Sequence, residues 1–377
     1  MKNSKKILIF SVVFLPEFVG GAEIAIKEFT DRMDDGFVFD MITLRKNNSL
    51  FKKIGNINVY NVGWCTKNEI FFSFQKIIFP LLALFKAIQL NNKKRYDFTW
   101  SLMASYAGFA VLFFNFLYSK IPYILTIQEG KSVEIIKRKF FFIMPFYKLI
   151  FKRAKIVHVI SNYLAFFAVE MGAKKIEIIP NGVDINIFSS DVKQNSDIVL
   201  NKKQDDIYLI TTSRLVEKNN IANCILSLNY LSDNYKLLII GSGFLENKLK
   251  KIVFDHKLND RVFFIGDVEH KKIPSYFKYA DIFIRPSFSE GLGNSFIEAM
   301  SFGLPIIGTK VGGIVDFLFD KKTGLFCDPF NPNDIAEKIL MLQDLNLKNN
   351  LIKEAKDFVY ENYKWENLVL KIKNLFN

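Results

Sequence analysis

Short apolar runs alternate with longer amphipathic stretches along most of the chain. In the first half, runs with strand character cover residues 6–14, 37–44, 57–62, 98–103, 123–128 and 156–161. In the second half, similar runs cover residues 207–212, 236–240, 262–265, 282–285 and 305–308. Strands that alternate with helices form parallel sheets with helices on both faces. The pattern therefore predicts an α/β protein with a parallel sheet in each half.

The pattern breaks near residue 182. Pro180, Asn181 and Gly182 end a strand, and residues 185–204 are polar without periodicity. A chain of 377 residues can form two domains, each with its own core. We therefore predict one domain over residues 1–182, a second over 183–360, and a last helix at about 361–377.

Two apolar runs are compatible with a membrane-related segment. Residues 7–15 follow a basic start, as in a signal peptide, but no convincing cleavage site follows, which favours a first buried strand. Residues 102–118 approach the length that spans a bilayer. Because Gly108 and Asn115 interrupt this run and strand-like segments flank it, we interpret it as a buried helix.

Charge and cysteine content narrow the choice of partners and compartment. The formal net charge is +13 and the pI is about 9.3, which predicts an anionic partner: a nucleotide, a phospholipid surface, a nucleic acid or a phosphorylated acceptor. Cys65, Cys224 and Cys327 are isolated and lack the spacing of a zinc site. We therefore expect reduced thiols and a cytoplasmic location.

Two stretches combine basic and bulky apolar residues, namely residues 70–95 and 131–155. Such stretches can lie among the headgroups of an anionic membrane. They can equally be helices that cover a sheet and expose a basic face. The sequence leaves both interpretations open.

The segment 285–313 has the organisation of an anion site. It joins a strand to a glycine-bearing loop and a helix, and Gly291 and Gly293 allow the backbone to approach a ligand. The first amides of a helix point at such a ligand, and a phosphate suits them. Glu290 and Glu298 can each accept hydrogen bonds from sugar hydroxyls; alternatively, Glu298 closes a capping box with Ser295, and Glu290 is a solvated loop acid.

This segment resembles the signature of glycosyltransferase family 4, the retaining GT-B enzymes, in which two glutamates eight positions apart flank a glycine-rich turn. The matching residues are Glu290, Gly291, Gly293, Glu298, Ala299, Met300, Gly303, Pro305, Gly312 and Gly313. The resemblance implies two Rossmann-like domains whose parallel sheets face each other across a cleft, with a last helix that returns to the first domain. It also implies that Trp365 anchors that helix.

Other segments resemble further parts of the family pattern. Gly20 and Gly21 match the loop that faces the donor diphosphate and the acceptor, although a glycine pair is by itself only a tight turn. Gln128, followed by Glu129, stands where family members often have a histidine near the transferred sugar; glutamine does not titrate near neutral pH. Arg214 and Lys218 match a basic pair that contacts the diphosphate.

The resemblance implies transfer of a hexosyl-type unit from a nucleoside diphosphate sugar to an acceptor hydroxyl with retention. Arg214, Lys218 and the amides near Gly293, Asn294 and Ser295 stabilise the leaving diphosphate, Glu290 holds the sugar, and Glu298 holds the ribose. No DxD sequence is present, so we predict no required metal and no cofactor beyond the sugar nucleotide.

The resemblance favours synthesis of cell-surface polysaccharide, lipopolysaccharide or glycolipid, on an acceptor glycan or lipid-linked sugar at the inner face of the cell membrane. Two alternatives stay open: a nucleotide-sugar epimerase or phosphorylase of the same fold, and a non-enzymatic basic protein that binds membrane or nucleic acid. We expect no nucleic acid partner. The sugar, the base, the acceptor and the oligomeric state are not encoded in any recognisable pattern.

Overall fold

The computed structural model describes residues 4–66, 68–130, 133–189 and 202–377. Contacts between residues divide the chain into two compact units. The amino-terminal unit comprises Met1–Asn181 and Trp365–Asn377, and the carboxy-terminal unit comprises Gly182–Lys364. The predicted domains were 1–182 and 183–360, followed by a helix from about 361.

The amino-terminal unit is built on one sheet. Its strands are β1 (Lys5–Phe10), β2 (Phe37–Leu44), β3 (Phe51–Ile54), β4 (Ile57–Val62), β5 (Phe98–Leu102), β6 (Tyr123–Ile127), β7 (Ile156–Val159) and β8 (Ile176–Ile178). Among the described residues they lie in the order β3-β4-β2-β1-β5-β6-β7-β8. Neighbouring strands are parallel, as predicted, except that β3 is antiparallel to β4. The apolar run that starts at Ile7 lies in β1 and is fully buried there.

Strand β3 was not predicted from the sequence. Its four residues, FKKI, alternate between exposed and half-buried positions and include two lysines, so the apolar signal is weak. Gly55 has φ +54, in the left-handed region that favours glycine, and turns the chain directly from β3 into β4. The result is an antiparallel hairpin at the sheet edge.

Helices cover both faces of this sheet. They are α1 (Gly21–Arg32), α2 (Glu69–Lys94), α3 (Tyr106–Leu117), α4 (Val133–Lys139), α5 (Met144–Arg153) and α6 (Asn162–Glu170). The steps β4 to β5, β5 to β6, β6 to β7 and β7 to β8 run in one direction across the sheet, and β1 to β2 runs the other way. Because such crossovers are right-handed, α2, α3, α5 and α6 cover one face and α1 covers the other.

Two of these helices are strongly apolar. The predicted buried helix within residues 102–118 is α3, which has only 12 residues and buries Gly108 and Asn115. Helix α2 is long and apolar enough to cross a membrane by length and composition alone, and 33% of its most apolar window is buried. One side of α2 packs on α3 and on β2. It is therefore a sheet-covering helix whose outer side is apolar as well.

The carboxy-terminal unit contains a second, fully parallel sheet. Its strands are β9 (Ile207–Thr212), β10 (Tyr235–Ile240), β11 (Val262–Gly266), β12 (Ile282–Ile284), β13 (Ile306–Gly308) and β14 (Leu325–Phe326). Among the described residues the order is β11-β10-β9-β12-β13-β14. The chain moves outward from β9 to β11 and then returns to the other side of β9 with β12. The ends of β9 and β12 therefore form a topological switch point, where ligands bind in such sheets.

The helices of this unit are α7 (Ile221–Ser227), α8 (Glu246–Asp255), α9 (Ile273–Phe277), α10 (Asn294–Phe302), α11 (Pro332–Met341) and α12 (Leu345–Asn362). The turn after β10 fits closely against the turn after β9. A Cβ on Gly241 would lie 2.1 Å from the carbonyl oxygen of Ser213, and one on Gly243 would lie 2.4 Å from that of Leu215. Both glycines are therefore required by the close packing of the two turns.

The last helix, α13 (Trp365–Asn374), belongs to the amino-terminal unit. It begins later than the predicted residue 361 because α12 continues through Asn362. Trp365 packs edge-on against Phe29 of α1 with ring centroids 5.0 Å apart. Phe376 contacts the ring of Trp100 at 5.2 Å. These aromatic contacts hold the end of the chain on the face that α1 covers.

The imidazole of His158 is fully buried in β7. Its Nδ1 lies 2.9 Å from Oγ1 of Thr126, and its Nε2 lies 2.8 Å from the carbonyl oxygen of Ile179. Burial lowers the pKa of His158 to about 4, and the hydrogen bond to Ile179 opposes part of this shift. A histidine in the unfolded chain titrates near pH 6.5. The stability that neutral His158 provides is therefore present above about pH 6.5 and is lost as the pH falls toward 4.

We expect acidification from pH 7 to pH 5 to destabilise the protein by about 2 kcal/mol through His158 alone. His158→Gln should show a smaller loss over this interval, because glutamine does not titrate. Urea denaturation at both pH values measures the difference. The exposed His256 provides the control, since His256→Gln should retain the wild-type loss. Equal losses in the wild type and in His158→Gln would contradict the assignment.

Candidate functional site

The two predicted donor-binding cations follow β9. Arg214 is exposed, and its carbonyl oxygen accepts a hydrogen bond of 2.7 Å from the side chain of Asn219. Lys218 lies in a short 3-10 turn, Glu217–Asn219, and its Nζ donates to Oε2 of Glu290 at 3.0 Å. The carboxy-terminal unit therefore places this basic pair at its switch point, beside the predicted glutamate.

Glu290 is buried between two cations. Its Oε2 pairs with Lys218, and its Oε1 lies 3.0 Å from Nη2 of Arg285. The alternative that Glu290 is a solvated loop acid is therefore wrong. The carboxylate instead joins the loop after β9 to the residue that follows β12.

Sequence reasoning missed Arg285 as a functional candidate. Its side chain is 6% exposed. Its Nη1 donates to the carbonyl oxygen of Thr212 at 3.1 Å and to Oγ of Ser295 at 2.7 Å, and its guanidinium lies 4.6 Å from the ring centre of Phe296. One guanidinium thus connects β9, Glu290 and the first turn of α10. The only sequence signal was a charged residue that directly follows a buried strand.

Burial and mutual attraction set the ionisation of this cluster. Burial lowers the pKa of Lys218, and the nearby Glu290 opposes part of that shift. Burial also lowers the pKa of Arg285, again opposed by Glu290. Burial by itself raises the pKa of Glu290, but Arg285 and Lys218 outweigh it, so that this pKa lies below its ordinary value. Glu290 is therefore a carboxylate at neutral pH.

The glycine-rich loop leads into α10 as predicted. Gly293 has φ +99 and precedes the first helical residue, Asn294. A Cβ on Gly293 would lie 2.9 Å from the ring of Phe296. The alternative of a capping box between Ser295 and Glu298 is wrong, because Ser295 lies inside the helix and its hydroxyl accepts from Arg285. The first amides of α10 therefore lie next to a buried cation at the switch point.

A second glycine pair, Gly312 and Gly313, packs directly against the backbone of this loop. A Cβ on Gly312 would lie 1.8 Å from the carbonyl oxygen of Glu290, and one on Gly313 would lie 2.2 Å from that of Gly291. The amide of Gly313 also donates to the carbonyl oxygen of Glu290 at 3.1 Å. Only glycine permits this approach. The glycine pair therefore determines the position of the Glu290–Gly291 peptide.

Glu298 lies one turn into α10 and pairs with a histidine that the sequence did not single out. Nε2 of His270 lies 2.8 Å from Oε1 of Glu298, and the Glu298 side chain is 13% exposed. The ring of Phe188 lies 5.1 Å from that of His270. His270 lies in the loop that follows β11.

Several buried polar atoms near this edge have no hydrogen-bond partner among the described residues. They are Oγ1 of Thr211 and Thr212, Oγ of Ser213 and Ser287, Oδ1 of Asn219, and Nε of Arg285. Buried polar groups are normally hydrogen-bonded to protein or ordered water. Their concentration beside β9 and β12 indicates where a polar ligand or water fits.

The remaining predicted site residues lie in the amino-terminal unit. Gly21 is the first residue of α1, and Gly20 precedes it in an extended conformation. A Cβ on Gly20 would lie 2.6 Å from a carboxylate oxygen of Glu23. Gln128 follows β6, and its Oε1 accepts a hydrogen bond of 3.1 Å from the side chain of Asn181.

A cavity of about 300 Å³ lies at the switch point of this unit, where β1 and β5 end. Its lining comprises Ser11, Val12, Val13, Ala22, Glu23, Leu102, Met103, Ser105, Glu129, Ile135, Ile136, Lys139 and Phe140. Met103 has φ +70, a left-handed conformation that non-glycine residues adopt mainly at constrained or functional positions. Glu129 thus lies at a second ligand-sized site. Gly20 and Gly21 are next to this site, because the residue that follows them, Ala22, lines the cavity.

Among the described residues, no three His, Cys, Asp or Glu side chains form a group that could hold a metal ion. The charged groups of the switch point are instead the Arg214, Lys218, Arg285 and Glu290 cluster. Such a cluster is suited to an anionic ligand, because it carries more positive than negative charge.

Comparison with known proteins finds similarity to glycosyltransferases. Residues 192–374 match the family model described as glycosyl transferases group 1. An uncharacterized glycosyltransferase of Methanocaldococcus jannaschii is 24% identical over 400 residues, which cover 98% of each chain. A lipopolysaccharide 1,2-N-acetylglucosaminetransferase of Salmonella typhimurium is 26% identical over 241 residues, covering 59% of this chain and 63% of its own.

Solved structures show the same fold. The sucrose-phosphate synthase of Thermosynechococcus elongatus has a TM-score of 0.83 at 20% identity, covering 99% of this chain and 98% of its own. The Anabaena protein HepE in complex with UDP and glucose has a TM-score of 0.79 at 18% identity, covering 98% and 99%. The predicted GT-B class, with two Rossmann-like parallel-sheet units, is confirmed.

Proposed function

Because residues 192–374 match the family model described as glycosyl transferases group 1, we propose that the protein is a retaining glycosyltransferase of family 4 that acts on a nucleoside diphosphate sugar. The observation that carries this proposal is the cation cluster at the switch point of the carboxy-terminal unit. Lys218 and Arg285 hold Glu290 between them, and Arg214 lies nearby, at the edge where α10 begins.

The cations act on the leaving group. When the bond between the anomeric carbon and the phosphate oxygen breaks, its electron pair moves to the diphosphate, and positive charge develops on the sugar. Arg214 and Lys218, together with the amides that open α10, face this growing negative charge. Each donor of this kind lowers the barrier by about 3 to 4 kcal/mol in a water-poor site. No step of this proposal requires a metal ion.

Glu290 and Glu298 bind the two sugars of the donor. Glu290 is ionised, and two cations fix its orientation, yet a carboxylate has about four lone-pair positions. The positions left over accept from hydroxyls of the transferred sugar. Glu298 accepts from the ribose hydroxyls, and His270 orients its carboxylate.

The acceptor binds in the amino-terminal unit, in the cavity that contains Glu129. The acceptor oxygen forms the new bond to the anomeric carbon as the phosphate leaves, and its proton passes to an oxygen of the departing phosphate on the same face. Gln128 does not take this proton, because a carboxamide is not a base near neutral pH. Gly20 and Gly21 let the backbone at the start of α1 approach both substrates.

We place this reaction in cell-surface polysaccharide, lipopolysaccharide or glycolipid synthesis, in the cytoplasm and on an acceptor glycan or lipid-linked sugar. The names of two relatives support this assignment. One is the Salmonella enzyme described above. The other is a GDP-mannose-dependent alpha-(1-6)-phosphatidylinositol monomannoside mannosyltransferase of Mycobacterium tuberculosis, which is 26% identical over 231 residues, covering 58% of this chain and 60% of its own. The free cysteines and the basic surface are compatible with it.

We expect one nucleoside diphosphate, such as UDP or GDP, to raise the melting temperature when a panel of diphosphates and their sugars is tested. A ligand at 100 times its dissociation constant stabilises the folded state by about 2.7 kcal/mol. This stabilisation corresponds to a shift of roughly 5 to 10 °C for a unit of this size. No shift with any member of the panel would exclude a sugar nucleotide as substrate.

Incubation with the stabilising sugar nucleotide in the absence of an acceptor separates the transferase from an epimerase of this fold. An epimerase consumes its sugar nucleotide without an acceptor, whereas a transferase needs an acceptor hydroxyl. Once the donor is known, the anomeric configuration of the product, read by NMR coupling constants, tests retention. A product of opposite configuration to the donor would disprove it.

A further inference from the structure

The corner between α4 and α5 exposes an unusual number of large apolar side chains. This α4–α5 corner comprises residues 135–148 and includes the 3-10 turn Phe141–Ile143. Phe142 is 94% exposed, Phe141 69% and Phe146 59%, and Ile135 and Ile143 are exposed as well. Single exposed apolar residues are ordinary, but a contiguous apolar patch marks an interaction surface.

The corner and the residues that follow it as far as Lys155 are strongly basic. Residues 135–155 contain seven basic residues, Lys137, Arg138, Lys139, Lys148, Lys152, Arg153 and Lys155, and no Asp or Glu. Lys137 pairs with Glu170 of α6, which neutralises one of them. Phenylalanines at a tip, surrounded by more lysine and arginine than acid, match the chemistry of anionic lipid headgroups above an apolar layer.

A shallow cavity of about 630 Å³ lies within this corner. Phe141, Phe142, Met144 and Met171 form its apolar lining, and Lys137, Arg138, Lys148 and Glu170 form its polar lining. An apolar floor with basic groups at the rim suits an anionic amphiphile better than a folded protein surface, because both the headgroup and the first methylenes of the chain find partners.

Two other helices on the same face of the sheet also expose apolar side chains. Helix α2 exposes Ile70, Phe74, Ile77, Leu81 and Phe85, which recur at the spacing of one helix face. Helix α6 exposes Phe166 and Val169. Helices α2 and α6 cover the same face of the sheet as α5, so this face carries further exposed apolar side chains.

We propose that the α4–α5 corner inserts Phe141 and Phe142 into the interfacial region of an anionic bilayer, with Arg138 and Lys148 on lipid phosphates. Helix α4 connects this surface to the acceptor cavity, since Ile136 and Lys139 line the acceptor cavity while Lys137 and Arg138 line the cavity of the corner. Insertion of the corner into a membrane does not depend on the proposed reaction. The delivery of a membrane-borne acceptor to the Glu129 cavity rests on the proposed function.

The test uses the full-length protein, without donor, in co-sedimentation with vesicles of phosphatidylglycerol and phosphatidylcholine. We expect binding to vesicles with anionic lipid and weak binding to phosphatidylcholine alone. Phe141→Ser with Phe142→Ser should lower the partition coefficient about 100-fold. The control Phe244→Ser with Phe254→Ser removes two equally exposed rings from the carboxy-terminal unit and should change nothing. Binding that survives the loss of Phe141 and Phe142 would overturn the proposal.

The charge contribution is tested in the same assay. Arg138→Gln with Lys148→Gln should lower the partition coefficient about thirtyfold, since each basic group near an anionic surface contributes roughly 1 kcal/mol. The control Lys251→Gln with Lys353→Gln makes the same change in net charge on exposed residues of the other unit. Equal losses in both pairs would mean that net charge alone attracts the protein, which contradicts a defined docking surface.

Insertion is distinguished from adsorption by fluorescence. Phe142→Trp should be quenched by brominated lipids in anionic vesicles, whereas Phe244→Trp should not, after subtraction of the wild-type signal. If no vesicle binds but Phe141→Ser with Phe142→Ser changes the oligomeric state in light scattering, the corner is a protein contact and the membrane proposal fails. The shift in melting temperature with a nucleoside diphosphate should be the same in these variants, so that the two proposals fail separately.

Discussion

Replacing Lys218 by methionine should lower kcat/KM for sugar transfer by a factor of about 100 to 1000. Methionine keeps most of the length and apolar volume of the side chain and removes its charge. Lys218 contacts Glu290 and lies beside the start of α10, where the leaving diphosphate builds negative charge. Initial rates with the donor identified in the thermal panel measure the effect.

The fold should survive this change. Glu290 keeps its pair with Arg285, so no buried carboxylate is left without a cation. Lys251→Met, at an exposed position of α8, is the matched control and should retain wild-type kinetics. If Lys218→Met has the activity of the wild type, Lys218 has no role in stabilising the leaving group.

The parts of the site that could be predicted are those encoded by neighbouring residues. Glu290, Gly293 and Glu298 belong to one continuous loop and helix. The left-handed φ of Gly293 depends only on this short segment, and glycine is the residue that adopts it most easily. The position of Arg214 could be predicted in the same way. It directly follows β9, and ligands bind beyond the carboxyl ends of parallel strands.

The parts that could not be predicted depend on contacts between distant segments. Arg285 had no motif, and its role appears only when β12 lies beside β9 and brings its guanidinium to Thr212 and Glu290. His270 reaches Glu298 from a different loop, 28 residues away. The spacing left a capping box between Ser295 and Glu298 open as an alternative, but the hydroxyl of Ser295 instead accepts a stronger, charge-assisted hydrogen bond from Arg285.

The Arg285 and Glu290 pair should give unequal losses of stability. Glu290→Gln leaves two cations, Arg285 and Lys218, without a counter-charge and should cost about 3 to 5 kcal/mol. Arg285→Met should cost less, because Lys218 still neutralises Glu290. The double variant should be more stable than Glu290→Gln alone, since it removes the buried guanidinium that had lost its partner. Denaturant unfolding of the four proteins gives the coupling energy directly.

Arg285→Lys separates the positioning role of the guanidinium from its charge. Lysine restores the positive charge but cannot bridge Glu290, Ser295 and Thr212 at once, because it lacks the planar fork. We therefore expect stability close to the wild type and a kcat reduced about tenfold, as the Glu290 carboxylate and the first turn of α10 lose their fixed orientation. If kcat is unchanged in Arg285→Lys, the guanidinium contributes only charge, and the cluster needs no defined geometry to act on the diphosphate.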